Sequence, residues 1–131
     1  MPLQIIPFYK NMGETPLSAL GRLRTEKPEY QFLPLTYAGR LDPLAEGLLL
    51  ILAGDECMKK DEYTMLPKEY EVKVLFGFAT DTYDVMGLVE NISADGSNVS
   101  SEISTALEKF TGDFEQAYPP YSSRTVEGKP L

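Results

Sequence analysis

Apolar and polar positions along this chain change their period several times, and each change marks an element. Residues 3–8 are apolar around a proline bend and read as a first strand. Thr15-Pro16 opens a helix, with Thr15 as N-cap and Pro16 at the first helical position, running to about Arg24. Leu17, Leu20 and Leu23 recur on that helix at core spacing. Residues 25–35 hold Pro28 and Pro34 and read as a loop. Residues 48–53 are continuously apolar, the pattern of a buried central strand. Residues 55–66 read as a polar helix with Met58 and Met65 turned inward. Residues 70–78 alternate like a half-buried strand, and 88–92 form a short one. Residues 95–98 read as a turn. Residues 101–110 form a helix with an apolar stripe of Ile103, Ala106, Leu107 and Phe110, ended by Gly112. Residues 113–117 begin another strand, which Pro119-Pro120 stops. Strands and helices mix without a strict βαβ repeat. The expected fold is therefore α+β, a mixed, mainly antiparallel sheet flanked by helices. Neither a repeat nor a linker divides residues 1–131.

Composition narrows the chemistry. The hydrophobic fraction of 43% suits a globular core, and 131 residues suit one domain. With no histidine in the chain, a Ser-His-Asp triad, a Cys-His pair and a histidine metal site are all excluded. The single cysteine, Cys57, cannot close an internal disulfide, which suits a reducing cytoplasm. It reads as a half-buried spacer, since acids flank it and no histidine can activate it. No apolar run approaches the roughly 20 residues of a membrane span, and no signal-peptide pattern is visible.

The densest chemical signal is Gly39-Arg40-Leu41-Asp42-Pro43-Leu44-Ala45-Glu46-Gly47. It sets Asp42 between a glycine turn and the apolar run of the central strand. Asp before Pro commonly caps a helix, and on the dipeptide alone capping is the commoner role. Gly47, however, leaves room for about one turn, so there is little helix to cap. A carboxylate on a tight loop at the edge of a core is held still and partly dry.

The longer pattern resembles the pseudouridine synthase signature, in particular that of the tRNA pseudouridine synthase B (TruB) family, Gly-x-Leu-Asp-Pro-x-Ala-x-Gly. Four further elements, in order, resemble the same family. Lys10-Asn11-Met12-Gly13-Glu14-Thr15 is similar to its Lys-Pro-x-Gly-x-Ser/Thr, with Asn11 in place of the proline. Lys68-Glu69-Tyr70 matches the element with the active-site tyrosine. Thr80-Asp81-Thr82-Tyr83-Asp84-Val85-Met86-Gly87 resembles Thr-Asp-Thr-x-Asp-x-x-Gly. Pro119-Pro120-Tyr121-Ser122-Ser123-Arg124, with Gly128, resembles the Pro-Pro-x-x-Ser-Ala-x-Lys-x-x-Gly stretch.

The resemblance implies a pseudouridine synthase-like fold and an enzyme that isomerises uridine to pseudouridine in tRNA, at uridine-55 of the T-loop. That reaction breaks the C1′–N1 bond, turns the base and rejoins it through C5. It involves no redox change and no phosphoryl transfer, so no cofactor and no metal is expected. Asp42 falls on the catalytic aspartate, meeting positive charge that develops at C1′ as glycosidase carboxylates do. Tyr70 falls on the tyrosine that stacks on the flipped base, its hydroxyl near C5. Tyr37 stands where the family usually has a histidine that fills the gap left by the base. Arg40 is expected either on an RNA phosphate or paired with Glu46, and Lys10 on RNA. Asp81 and Asp84 read as turn-makers rather than metal ligands.

The family also uses an arginine beside the aspartate and a leucine in the base pocket, both of which follow the last residue here. The chain thus reads as the N-terminal portion of a catalytic domain. Its incompletely covered apolar face would favour self-association. The net charge of −8 is unusual for an RNA binder. Part of the discrepancy is expected to be local, with Lys10, Arg22, Arg24, Lys27 and Arg40 gathered on one face, and part to lie in sequence beyond this portion. The competing readings are a catalytically incomplete tRNA-binding or chaperone module, and an acidic protein-interaction domain.

Overall fold

Alternation with period two sets the first strand, β1 (Ile5–Lys10), in which Ile6, Phe8 and Lys10 turn inward while Ile5, Pro7 and Tyr9 turn out. The computed structural model describes residues 2–92, 99–119, 121, 125–126 and 129–130. They belong to two units, Met1–Tyr70 and Glu71–Leu131.

In the first unit, β1 is followed by α1 (Pro16–Glu26), β2 (Leu35–Ala38), β3 (Gly47–Ala53) and the short α2 (Lys60–Thr64). The sheet order is β1-β3-β2, both pairings antiparallel. Lys10 pairs with Gly47, and Ala38 with Leu50. The expected central strand is thus central, and its apolar run is explained by neighbours on both edges.

A capping box starts α1. The Thr15 side chain accepts from the Ser18 N–H at 3.0 Å, and the Ser18 hydroxyl accepts from the Thr15 N–H at 2.8 Å. The helix stops at Lys27, whose N–H returns to the Leu23 carbonyl, because Pro28 cannot continue it. Ala19, Leu20 and Leu23 are its buried stripe and pack with Ile6, Phe8, Tyr30, Leu49, Ile51 and Ala53. Leu17 departs from the expected core: it is 71% exposed. At about 100° per residue it lies roughly 110° from the centre of that stripe.

Two further expectations are corrected. Residues 25–35 are not all loop. A 3₁₀ turn, Pro28–Tyr30, buries the Tyr30 ring, whose hydroxyl donates to the Leu3 carbonyl at 3.1 Å, and Leu35 begins β2. The helix expected over 55–66 divides into a 3₁₀ segment, Gly54–Lys59, and α2. Met58 and Met65 are exposed. Cys57 faces inward instead, its thiol 3.3 Å from the Leu52 carbonyl. Glu56 holds this segment by accepting from Lys59 at 2.7 Å and Tyr63 at 2.6 Å.

In the second unit β4 (Phe78–Thr80) pairs antiparallel with β5 (Val89–Ile92). α3 (Val99–Glu108) follows, and β6 (Thr125–Val126) pairs antiparallel with β7 (Lys129–Pro130). Gly112, at φ +83°, lies just beyond α3, as expected. The strand expected over 70–78 is limited to β4. Residues 67–76 have no ladder partner among the described residues, and alternation without a partner leaves the backbone to bond water. Residues 113–117 likewise form no strand. The turn expected at 95–98 lies outside the described residues.

The loop between β4 and β5 behaves as expected. The Asp84 carboxylate accepts from the Met86 N–H and the Thr82 hydroxyl, both at 2.8 Å, and Asp81 accepts from the Leu88 N–H at 2.7 Å. A Cβ on Gly87 would collide with Thr82 Oγ1 and with Asp81 Oδ1. All elements described are helices and antiparallel pairs, so the fold is α+β. Among the described residues no helix is long and apolar enough to cross a membrane.

The α1 register gives a direct test. Leu23→Ala should cost about 2–5 kcal/mol in urea unfolding, while Leu17→Ala should stay within about 0.5 kcal/mol. Equal losses would contradict this packing.

Candidate functional site

Asp42 lies in the connection between β2 and β3, at the sheet end where β1 finishes. No helix follows it. The Ala45 N–H donates to the Asp42 carbonyl at 3.0 Å, making a β-turn over residues 42–45 with Pro43 at its second position. The helix-cap role is thereby removed. Gly39 at φ +83° and Gly47 at φ +133° bound the loop with conformations that side chains disfavour.

Two bonds from the Lys10–Gly13 segment fix this turn. The Lys10 ammonium donates to the Ala45 carbonyl at 2.6 Å and to the Asn11 carbonyl at 3.1 Å. The Gly13 N–H donates to the Pro43 carbonyl at 2.7 Å. The two motifs nearest the N-terminus are therefore one structural unit. Lys10 is 0% exposed, which corrects its expected place on RNA. It continues the inward positions of Ile6 and Phe8, so its charge is committed to backbone carbonyls. That alternation was the available sequence signal.

A second layer holds the Lys10–Gly13 segment. Glu14 accepts from the Asn11 N–H at 2.9 Å and from Arg22 Nε at 2.8 Å. Arg22 also reaches the Tyr9 carbonyl at 2.5 Å and Glu26 at 3.0 Å, and its guanidinium lies 4.3 Å from the centre of the Phe8 ring. Arg22 holds Glu14 below the ordinary carboxylate range, with help from the Asn11 N–H. The same carboxylates, Glu14 before Glu26, push the Arg22 pKa up. Sequence reasoning missed this pair because Glu14 stands at an unspecified motif position.

Of the cations expected to gather on one face, three are held by contacts within the scaffold. Lys10 and Arg22 are engaged within the scaffold, and Arg24 donates to the Leu33 carbonyl at 3.2 Å. Arg40 is exposed and makes neither a hydrogen bond nor an ion pair among the described residues, so the alternative of pairing with Glu46 is not realised. Tyr37 is half-buried on β2, with Lys60 Nζ 5.4 Å from its ring centre.

Asp42 is exposed, which corrects the expected partly dry setting: the loop projects past the end of the sheet. Its carboxylate has no hydrogen-bond or ion-pair partner among the described residues. Tyr70 is 66% exposed. Lys68 of its motif lies beside the loop, its Cε 3.6 Å from where a Cβ on Gly39 would stand, and its ammonium donates to the Thr64 and Leu66 carbonyls at 2.5 and 2.9 Å. A hollow of about 190 Å³ near Pro2, Leu33 and Gly54 is remote in sequence and lining from both residues. Chemically, the arrangement offers a carboxylate on a backbone-fixed turn and a guanidinium two residues before it, both unpaired among the described residues. No group of three or more acids or thiols able to hold a metal occurs among the described residues.

Residues 29–131 match the family described as TruB family pseudouridylate synthase (N terminal domain). Among similar proteins, tRNA pseudouridine synthase B of Limosilactobacillus reuteri is 36% identical, over 97% of this chain and 42% of its own length. That of Treponema pallidum (strain Nichols) is 36% identical, over 98% of this chain and 34% of its own. The tRNA pseudouridine synthase 4 of Schizosaccharomyces pombe is 33% identical, over 84% and 27%. The chain thus spans less than half the length of these relatives.

Because the Glu14 pKa is depressed by folding, its stabilising contribution is present above the ordinary glutamate value of 4.5 and is lost as pH falls through the lower folded value. Stability of the first unit should therefore drop across that acid window, and Glu14→Gln should flatten the drop. Urea midpoints between pH 3 and 6, set by buffer, check this; parallel curves for both proteins would contradict it.

Proposed function

This chain belongs to the TruB family of pseudouridylate synthases, and we propose that it carries the aspartate of an enzyme that converts uridine to pseudouridine in tRNA, at uridine-55 of the T-loop. The observation that carries the reading is Asp42, unpartnered on a turn pinned by Lys10 and Gly13. An ionised, fixed carboxylate can meet the positive charge that develops at C1′.

In this proposal the T-arm uridine leaves its stack, a step costing a few kcal/mol that contacts to the extruded base recover. Tyr70 stacks on that base, and Tyr37 fills the space it vacates. Asp42 promotes departure of N1 from C1′, by attack on C1′ or by assisting elimination. The uracil turns and C5 bonds to C1′, which releases the Asp42 carboxylate if it attacked, or is accompanied by return of the sugar proton if Asp42 assisted elimination. The C5 proton then leaves near the Tyr70 hydroxyl, and N1 takes up a proton. Arg40, without a partner among the described residues, contacts a phosphate. Lys10 acts on the loop rather than on RNA. A cytoplasmic setting belongs to the same proposal, as does self-association through exposed apolar side chains such as Val72 and Val74.

The second reading is a catalytically incomplete tRNA-binding module. The exposure of both Asp42 and Tyr70 is the observation that favours it. A T-arm stem-loop separates the two. Asp42→Asn should abolish pseudouridine formation while RNA affinity stays within roughly twofold; an active Asn variant would overturn the assigned role. A wild-type chain that binds without forming product would favour the module.

Arg40→Ala should reduce the slope of log affinity against log salt by about one. Lys10→Met should leave that slope unchanged, because its ammonium is already taken up by Ala45 and Asn11. A loss of slope on changing Lys10 instead would place Lys10 on RNA.

A further inference from the structure

We infer that Glu14, clamped by Arg22, is a positioning residue for the Asp42 turn and does the work of a proline that this chain lacks. The inference rests on the proposed role of Asp42. Its basis is a continuous set of bonds. Arg22, fixed on α1, donates to both Glu14 oxygens, at 2.8 and 3.1 Å, and to the Tyr9 carbonyl. Glu14 accepts the Asn11 N–H at 2.9 Å, while the Glu14 N–H returns to the Asn11 carbonyl at 3.1 Å. That ring closes residues 11–14 into one turn. Within the ring, Gly13 directs its N–H to Pro43, directly after Asp42, and the Asn11 carbonyl receives Lys10.

A proline at position 11 would fix φ and remove the N–H that Glu14 binds. Asparagine leaves φ free and adds a donor that needs an acceptor. Glu14 supplies that acceptor, and the ion pair with Arg22 keeps the acceptor in place. The rigidity comes from a charge-assisted bond instead of a ring. Lys10 ends β1 in extended backbone, the conformation a residue before proline requires. The segment is therefore compatible with either solution.

Amide hydrogen exchange at Gly13 and Ala45 tests the device in the 131-residue chain, with pseudouridine formation in a T-arm stem-loop measured in parallel. Glu14→Ala should speed exchange at both amides by roughly tenfold, since a charge-assisted bond is lost, and should lower kcat more than it raises KM. Glu14→Gln keeps an acceptor for Asn11 and should lie between the two. Asn11→Pro placed in the Glu14→Ala background should restore protection at Gly13 and recover kcat, which a general loss of stability would not permit. Unchanged exchange in Glu14→Ala, or no rescue by Asn11→Pro, would overturn the inference. A wild-type chain that forms no pseudouridine would overturn the proposed function instead, leaving the exchange result to decide the role of Glu14.

Discussion

The buried ammonium of Lys10 is the constraint on which the site depends. A lysine removed from water is costly unless its donors are satisfied. Here two carbonyls satisfy it, and they belong to different loops, Asn11 after β1 and Ala45 before β3. If either carbonyl leaves, the buried ammonium loses one of its two bonds, which couples the two loops. Hydrogen bonds to a charged group are worth roughly 1.5–3 kcal/mol each, well above the usual hold on an eight-residue surface connection. The loop that carries Asp42 is therefore tied to the end of the sheet it leaves. The same burial keeps the Lys10 ammonium out of direct contact with a phosphate.

Much of this arrangement was legible before the coordinates, and what was not has physical reasons. The central strand showed itself by six apolar residues without a break, because both its edges are paired. The start of α1 showed itself in Thr15-Pro16, whose roles are local. β2 was hidden: four residues after Pro34 carry too little alternation to be seen, and only their pairing with β3 makes them a strand. Residues 70–78 erred the other way, since alternation reports what a segment prefers and not whether a partner exists. Asp42 was legible from a motif. Its supports were not, because a hydrogen bond from Lys10 to Ala45 spans 35 positions that no local pattern connects. Lys10 itself was half-legible, since Ile6, Phe8 and Lys10 share one face, yet its charge suggested a surface role.

The acidic balance of the chain looks less opposed to an RNA partner once its carboxylates are followed. Glu14 and Glu26 are paired with Arg22, and Glu56 with Lys59. Asp81 and Asp84 are tied into the turn between β4 and β5. These acids hold local structure, and Arg22 and Lys59 offset two of their charges. The field that a phosphate meets is set by whatever is left unpaired near the site. There Arg40 and Asp42, two residues apart, both lack an ion-pair partner among the described residues, so a cation is exposed beside the acid. Its field reaches a phosphate in direct contact although the net charge is negative, because at physiological salt the screening length is about 8 Å.

Exposure of Asp42 changes where the driving force of the proposed reaction must arise. A carboxylate in water stabilises a cation poorly, since solvent screens it: the interaction at 4 Å is about 1 kcal/mol in water and about 4 kcal/mol at an effective dielectric of 20. The dry pocket that the motif suggested is not supplied by the described residues of this chain around Asp42. On the proposed reading, the bound RNA then supplies part of it. A uridine drawn onto Asp42 and covered by the Tyr70 ring would displace water from the carboxylate just as C1′ approaches, so that binding and desolvation become one event. Such a design asks little of the free protein beyond geometry. The turn must be held in place without its substrate, and that is what the bonds from Lys10 and Gly13 accomplish.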